Sequence, residues 1–189
     1  MKKIYIFLFL LITTLVASQA SAHKRLFILL GQSNMSGRAP IEDADMAVCP
    51  MVKLLNADGH FEVLRNPLNR FSNIRKDIAM QKLGPGYTFA ETLSEQLQDT
   101  IFFVVNARGG TALERFMKND TAGYYEKTLF RIKQALRERP DLKPATIIWH
   151  QGESNRDDYQ SYLNHLNTLV ADLRSDLGIP DLPFIAGEI

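Results

Sequence analysis

The 189-residue chain holds one cysteine, Cys49. An internal disulfide is therefore excluded, and an exported domain must rest on its hydrophobic core. Charge of one sign is lacking too: 22 Lys and Arg against 21 Asp and Glu leave a formal net charge of +1. That balance speaks against nucleic acid or an anionic membrane as partner. Internal repeats, low-complexity tracts and Ser- or Gly-rich linkers are missing, so one domain is expected. No Gly-x-Gly-x-x-Gly follows the first core strand, which sets a dinucleotide-binding domain aside. The acids Glu42, Asp43 and Asp45 share one loop, where they read as solvated rather than as a cation site. Neither a metal nor an organic cofactor is expected.

One long apolar run is present, at the N-terminus. Lys2 and Lys3 precede Ile4 to Val16, and Ala20-Ser21-Ala22 supplies an A-x-A cleavage site. These are the three parts of a signal peptide. The run is too short to span ~30 Å of hydrocarbon comfortably. Residues 1–22 are thus expected to be removed, leaving a mature chain from near His23 that is secreted or periplasmic and has no stable membrane insertion. Loss of Lys2 and Lys3 takes the formal net charge from +1 to −1.

Apolar runs and helical patterns alternate through residues 23–189. Leu26 to Leu30, Ile101 to Val105 and Ala145 to Ile148 read as buried parallel strands, with Pro183 to Ala186 a shorter one. Val52 to Leu55 and Phe61 to Leu64 flank Ala57-Asp58-Gly59, a hairpin signal at a sheet edge. Thr88 and Glu91 fit a capping box for a helix presenting Phe89, Leu93 and Leu97. Tyr125, Leu129, Ile132 and Leu136 share a second helical face, stopped by Pro140. Tyr159, Tyr162, Leu166, Leu169 and Leu173 share a third, with Asp157 as N-cap. The alternation predicts a three-layer α/β/α sandwich with right-handed crossovers.

Three polar loops begin where core strands end: Gly31 to Ser33, Asn106 to Thr111 and His150 to Glu153. In an open α/β sheet, ligands meet the carboxyl ends of the strands. Ser33 is the candidate nucleophile, although a serine here also reads as the cap of the following helix. Gly31 permits a tight turn, and the next helix would aim its N-terminal amides at the reacting oxygen. The motif is not the Gly-x-Ser-x-Gly elbow, since Met35 stands where that elbow needs glycine. Gly109 lets a backbone N–H approach a substrate, although glycine pairs usually mark ordinary turns. Gln151 offers a neutral amide. With the Ser33 N–H and the Gly109 N–H it would complete a three-donor oxyanion hole. Gln32, Asn34, Gly110 and Glu153 are the supporting candidates; Glu153 either pairs with Arg108 and holds the loops in register or faces the substrate, the structural role being favoured.

Gly31-Gln32-Ser33-Asn34-Met35-Ser36-Gly37, Gly109-Gly110-Thr111 and His150-Gln151-Gly152-Glu153-Ser154 together resemble the SGNH (GDSL-like) hydrolases. The similarity is to their branch of sialic acid-specific acetylesterases and carbohydrate esterase family 6. It runs from about Leu26 to the C-terminus. The resemblance implies a mainly parallel, five-stranded, flavodoxin-like sheet and a metal-independent serine esterase acting on acetylated carbohydrate. It matches Ser33 to the nucleophile, Gly109 to the backbone donor and Gln151 to the residue replacing the usual asparagine donor. It also implies an Asp-x-x-His after the fifth strand. No such motif follows Pro183 to Ala186, so residues 23–189 are expected to be an esterase domain lacking its C-terminal Asp–His segment.

The four histidines do not readily replace that base. His150 adjoins Gln151, and alternation along a strand keeps both from facing the site. His165 lies off the apolar face of its helix, His60 in the hairpin and His23 at the mature start. Two other readings stand beside the esterase: a catalytically impaired carbohydrate-binding remnant, and another SGNH lipase or thioesterase. A long acyl pocket needs apolar lining, whereas Arg38 to Asp45 is mostly small or acidic.

Overall fold

The computed structural model describes residues 23–188, so the segment read as a signal peptide lies outside the described residues. Among the described residues are six strands: β1 (Lys24–Gly31), β2 (Cys49–Leu55), β3 (Phe61–Leu64), β4 (Ile101–Ala107), β5 (Leu142–His150) and β6 (Phe184–Ala186). The same residues form four α-helices: α1 (Ser33–Ser36), α2 (Gly86–Leu97), α3 (Tyr124–Glu138) and α4 (Tyr159–Leu177). The sheet runs β3-β2-β4-β1-β5-β6. Five strands are parallel, and β3 adds an antiparallel edge through the expected hairpin, which brings the count to six.

Side chains alternate across each strand, so an all-apolar run feeds two cores at once. Leu26, Ile28 and Leu30 of β1 join Phe102, Val104, Ile147 and Trp149 under α3 and α4. Phe27 and Leu29 join Phe103, Val105, Val52 and Leu54 under α2. Phe27 stacks on Phe103 at 5.3 Å and meets Phe89 of α2 edge-on at 5.7 Å. This is the three-layer α/β/α sandwich the sequence predicts.

Four details differ from the sequence reading. Helix α2 begins at Gly86 behind Pro85, whose φ of −64° and ψ of −20° already start the turn, so Thr88 lies inside the helix and caps nothing. Asp158, not Asp157, caps α4, accepting from the Ser161 amide at 2.9 Å. Tyr159 opens that helix 73 % exposed, and the buried face begins with Tyr162. Strand β5 extends back through Pro144. Proline offers no ladder N–H, and the register with β1 shifts there, from Leu26↔Pro144 to Phe27↔Thr146.

Counted along the parallel strands alone, the order is 2-3-1-4-5, whereas flavodoxin winds 2-1-3-4-5. The difference positions the site. β1 lies between β4 and β5, and Gly31 is in register with Ala107 on one side and His150 on the other. The loops after β1, β4 and β5 therefore leave the sheet side by side.

Candidate active site

Gly31 ends β1 at φ +147°, and a Cβ there would collide with the His150 carbonyl. Only glycine fits this close approach. The Gln32 amide then donates to the same His150 carbonyl at 3.0 Å, and the Arg108 amide donates to the Gly31 carbonyl at 3.0 Å. These two bonds lace the three loops together. Ser33 follows, half-buried, and opens α1. That helix is a single turn, so the expected helix dipole reduces to the amides of one turn. Ser36 Oγ donates back to the Ser33 carbonyl at 3.0 Å.

Gly109 sits directly against Ser33. A Cβ built on Gly109 would come within 3.6 Å of Ser33 Cβ, and it would clash with the Arg38 guanidinium. The missing side chain thus leaves room for Arg38 beside the serine. Arg38 Nη1 donates to Ser36 Oγ at 2.8 Å and to the carbonyls of Gly37 at 2.6 Å and Met80 at 2.9 Å. Burial lowers its pKa from the usual 12.5. Arg38 carries no local sequence signal, because its place beside Ser33 depends on a glycine 71 residues away.

Gln151 is 1 % exposed, whereas its neighbour His150 is half-buried, as strand alternation requires. Gln151 Nε2 reaches Gln32 Oε1 at 3.2 Å, the Thr111 carbonyl at 3.1 Å and Asn155 Oδ1 at 2.7 Å. Gln32 Nε2 in turn faces Ser33 Oγ at 3.5 Å. Gln32 therefore stands between Ser33 and Gln151. Tyr162 of α4 fixes the backbone here, donating to the Gln151 carbonyl at 2.6 Å while accepting from Trp149 Nε1 at 3.1 Å.

The far end of this chain sets its polarity. Glu114 Oε1 and Oε2 accept from Asn155 Nδ2 at 3.0 and 2.9 Å. An ionised carboxylate can only accept, so Asn155 must turn Nδ2 toward it and Oδ1 the other way. Asn155 Oδ1 then receives the Leu113 amide at 2.9 Å and Gln151 Nε2. Gln151 is oriented by Asn155, Gln32 by Gln151, and a donor N–H ends up facing Ser33 Oγ. Burial works to raise the Glu114 pKa, but the Asn155 bond, a backbone N–H and nearby His165 outweigh it and hold the carboxyl below its usual value. Glu114 and Asn155 carry no motif signal of their own; they lie 41 residues apart and meet only in the fold.

Glu153 meets Asn34, whose Nδ2 donates to Oε1 at 2.6 Å, while His150 Nδ1 lies 3.9 Å from the same oxygen. Arg108, its expected partner, instead donates to the Ile74 carbonyl at 2.7 Å and lies over the Tyr124 ring. Gly110 is exposed, with Lys76 Nζ nearby. His150 Nδ1, Gln151 Oε1 and Glu153 Oε2 are buried without a partner among the described residues. His60 pairs with Glu138 at 3.1 Å and His165 with Glu114 at 3.4 Å. No histidine is hydrogen-bonded to Ser33 among the described residues. The acidic loop folds on itself: Glu42 and Asp45 form a reciprocal capping box on a 3₁₀ turn, which accounts for their spacing.

The three-layer domain thus gathers a serine, a close glycine and buried amides at the carboxyl edge of its sheet. Comparison with known proteins gives its family. The family model for carbohydrate esterase, sialic acid-specific acetylesterase, matches residues 23–189, and the chain belongs to that family. A protein of Arabidopsis thaliana named as a probable carbohydrate esterase is 30 % identical, covering 85 % of this chain and 67 % of its own length. An X-ray structure of an Arabidopsis thaliana protein superposes with a TM-score of 0.76 at 29 % identity, covering 86 % of this chain and 73 % of that one. NanS shares the fold with a TM-score of 0.67 at 22 % identity, covering 89 % and 68 % of the two chains. So does a carbohydrate acetylesterase from Xanthomonas citri, with a TM-score of 0.56 at 20 % identity over 85 % and 40 %.

Proposed function

We propose that this chain is an exported serine O-acetylesterase acting on acetylated carbohydrate, with Ser33 as nucleophile. The observation that carries the reading is the contact of Gly109 with Ser33 on one side and the Gln32–Gln151 amide pair on the other. Ser33 Oγ attacks the acetyl carbonyl carbon, its proton passes to a base, and the carbonyl electrons move onto oxygen. The Ser33 and Gly109 amides and Gln32 Nε2, the side-chain donor that faces Ser33 Oγ at 3.5 Å, stabilise that oxyanion, a donor typically being worth ~3 kcal/mol. Gln151, buried behind Gln32, holds that amide in place through its bond to Gln32 Oε1. Arg38 adds positive potential beside Ser33. The sugar alkoxide leaves with the proton, and water releases acetate from acetyl-Ser33. The base is the one part that the described residues do not assign.

Incubating the purified protein with O-acetylated sialic acid and with acetylated xylan, and measuring acetate, tests this reading. Acetate release that Ser33→Ala abolishes is expected, and release unchanged by Ser33→Ala would refute it. The second reading, a carbohydrate-binding domain without turnover, rests on the observation that no histidine is hydrogen-bonded to Ser33 among the described residues. Saturable sugar binding with no acetate released would establish it. Export is tested by mass spectrometry of the secreted or periplasmic product, with His23 expected as first residue and a retained Met1 contradicting it.

A further inference from the structure

Away from Ser33, a cavity of about 200 Å³ opens between the β2–β3 hairpin, the segment from Arg70 to Arg75, and helix α3. Three of its lining residues are Arg70, Arg75 and Arg131, and no carboxylate lines it. Arg131 is 2 % exposed. Its Nη2 donates to the Leu55 carbonyl at 2.8 Å and its Nη1 to the Asn56 carbonyl at 3.2 Å, while Nε has no partner. Both acceptors are neutral dipoles. Arg131 forms no ion pair among the described residues, and neither does Arg75, whose bonds go to the carbonyls of Arg70 and Lys76. Arg70 alone has a counter-charge, Glu62 at 2.7 Å.

Burial lowers the Arg131 pKa to about 10, which leaves it charged at neutral pH. A buried charge without an opposite charge beside it is costly. Here the uncompensated charge of Arg131 adds to that of Arg75 across a solvent-reachable space several times the ~30 Å³ share of one water. Guanidinium groups match oxyanions in shape and hydrogen-bonding direction.

We propose that this arginine-lined cavity is a binding site for a small oxyanion group, separate from the esterase site. Its lining residues make no bond to Ser33, Gln32 or Gln151. The segment that walls it does touch the neighbouring loop, since Arg108 Nη1 donates to the Ile74 carbonyl. An occupant would neutralise Arg131 and tether that segment to α3.

The test is titration of the purified protein with phosphate, sulfate and acetate against chloride at constant ionic strength. Thermal midpoint and the ¹⁵N-resolved arginine Nε–H signals are followed. A saturable rise in midpoint with movement of the Arg131 signal is expected, and Arg75→Gln should weaken binding at least tenfold while leaving the midpoint in chloride unchanged. Arg131→Met should abolish binding; because that variant also removes the ties to β2, Arg75→Gln keeps the test independent of folding. Response to phosphate and sulfate only would identify a tetrahedral oxyanion, and response to acetate as well a carboxylate-bearing ligand. Non-saturable effects equal to those of chloride, or undiminished binding by Arg75→Gln, would overturn the proposal. Neither depends on esterase activity.

Discussion

Gln32 Oε1 accepts from Gln151 Nε2 at 3.2 Å across 119 residues of sequence. The two glutamines follow β1 and β5, and their bond joins the loop bearing Ser33 to the loop bearing Glu153. β1 and β5 are hydrogen-bonded neighbours, so the contact needs no long side chain to bridge a gap. The site is thus set by sheet order before any side chain is chosen.

Gly31→Ala tests that dependence most directly. Its φ of +147° is strained for any L side chain, and the atom a methyl group would strike is backbone, which cannot rotate away. Strain of this kind costs about 1–3 kcal/mol, before the steric overlap is added. The urea midpoint should fall with an unchanged m-value. A midpoint equal to wild type would mean that β1 and β5 separate freely at their carboxyl ends.

Tyr162→Phe removes one hydroxyl and two bonds. The Gln151 carbonyl loses a 2.6 Å donor, and Trp149 Nε1 loses its acceptor. Leaving buried groups unpaired costs about 1–3 kcal/mol. Trp149 is the single tryptophan, so its fluorescence reports unfolding from beside the lesion. The thermal midpoint should drop, and esterase rate should drop with it as the Gln151 loop loosens. Full stability would show that water replaces the hydroxyl without penalty.

Much of this arrangement is legible in sequence, for physical reasons that also set the limit. Leu26 to Leu30 reads as a strand because both faces are buried, and Gly31 marks its end because nothing larger fits. Asp158 displaces Asp157 as cap because adjacent acids differ only in the dihedrals each adopts, which sequence does not carry. Pro144 conceals the first half of β5, since a local rule against proline in strands gives way to a bulge. Glu114, Asn155 and Arg131 act through contacts 41 to 76 residues away, and no local pattern encodes those. Strand order has no local signal either. A 2-3-1-4-5 sheet flanks β1 with both partner loops, and the order depends on crossovers rather than on composition.

Glu114→Gln probes the amide chain from its far end. A glutamine can present either oxygen or nitrogen to Asn155, so the orientation of the next three amides is no longer dictated. The side-chain NH₂ signals of Asn155, Gln151 and Gln32 should all move in ¹H–¹⁵N spectra, while backbone signals beyond the network stay in place. Misplaced catalytic groups can cost on the order of 10²-fold in rate, so a roughly tenfold fall in kcat with little change in KM is expected. If the Asn155 signal alone responds, the polarity does not propagate to Ser33.

The same substitution predicts a pH dependence whose sign follows from linkage. Glu114 has its folded-state pKa below the ordinary 4.5: burial opposes ionisation, but Asn155, a backbone N–H and His165 together favour it, with Asp158 acting against them. A depressed carboxylate contributes stability that is fully present above the unfolded value and is lost as pH falls through the folded one. The difference in thermal midpoint between wild type and Glu114→Gln should therefore shrink as pH falls below about 4.5. Other depressed carboxylates, such as Asp99 and Asp141, titrate in both proteins and cancel in the difference. The Glu114 side chain is 45 % exposed, so solvent screening keeps the effect modest and added salt should reduce it further. A difference that stays flat to pH 3 would show that Glu114 gains nothing from ionisation, and the carboxylate would then no longer explain why Asn155 turns its nitrogen outward.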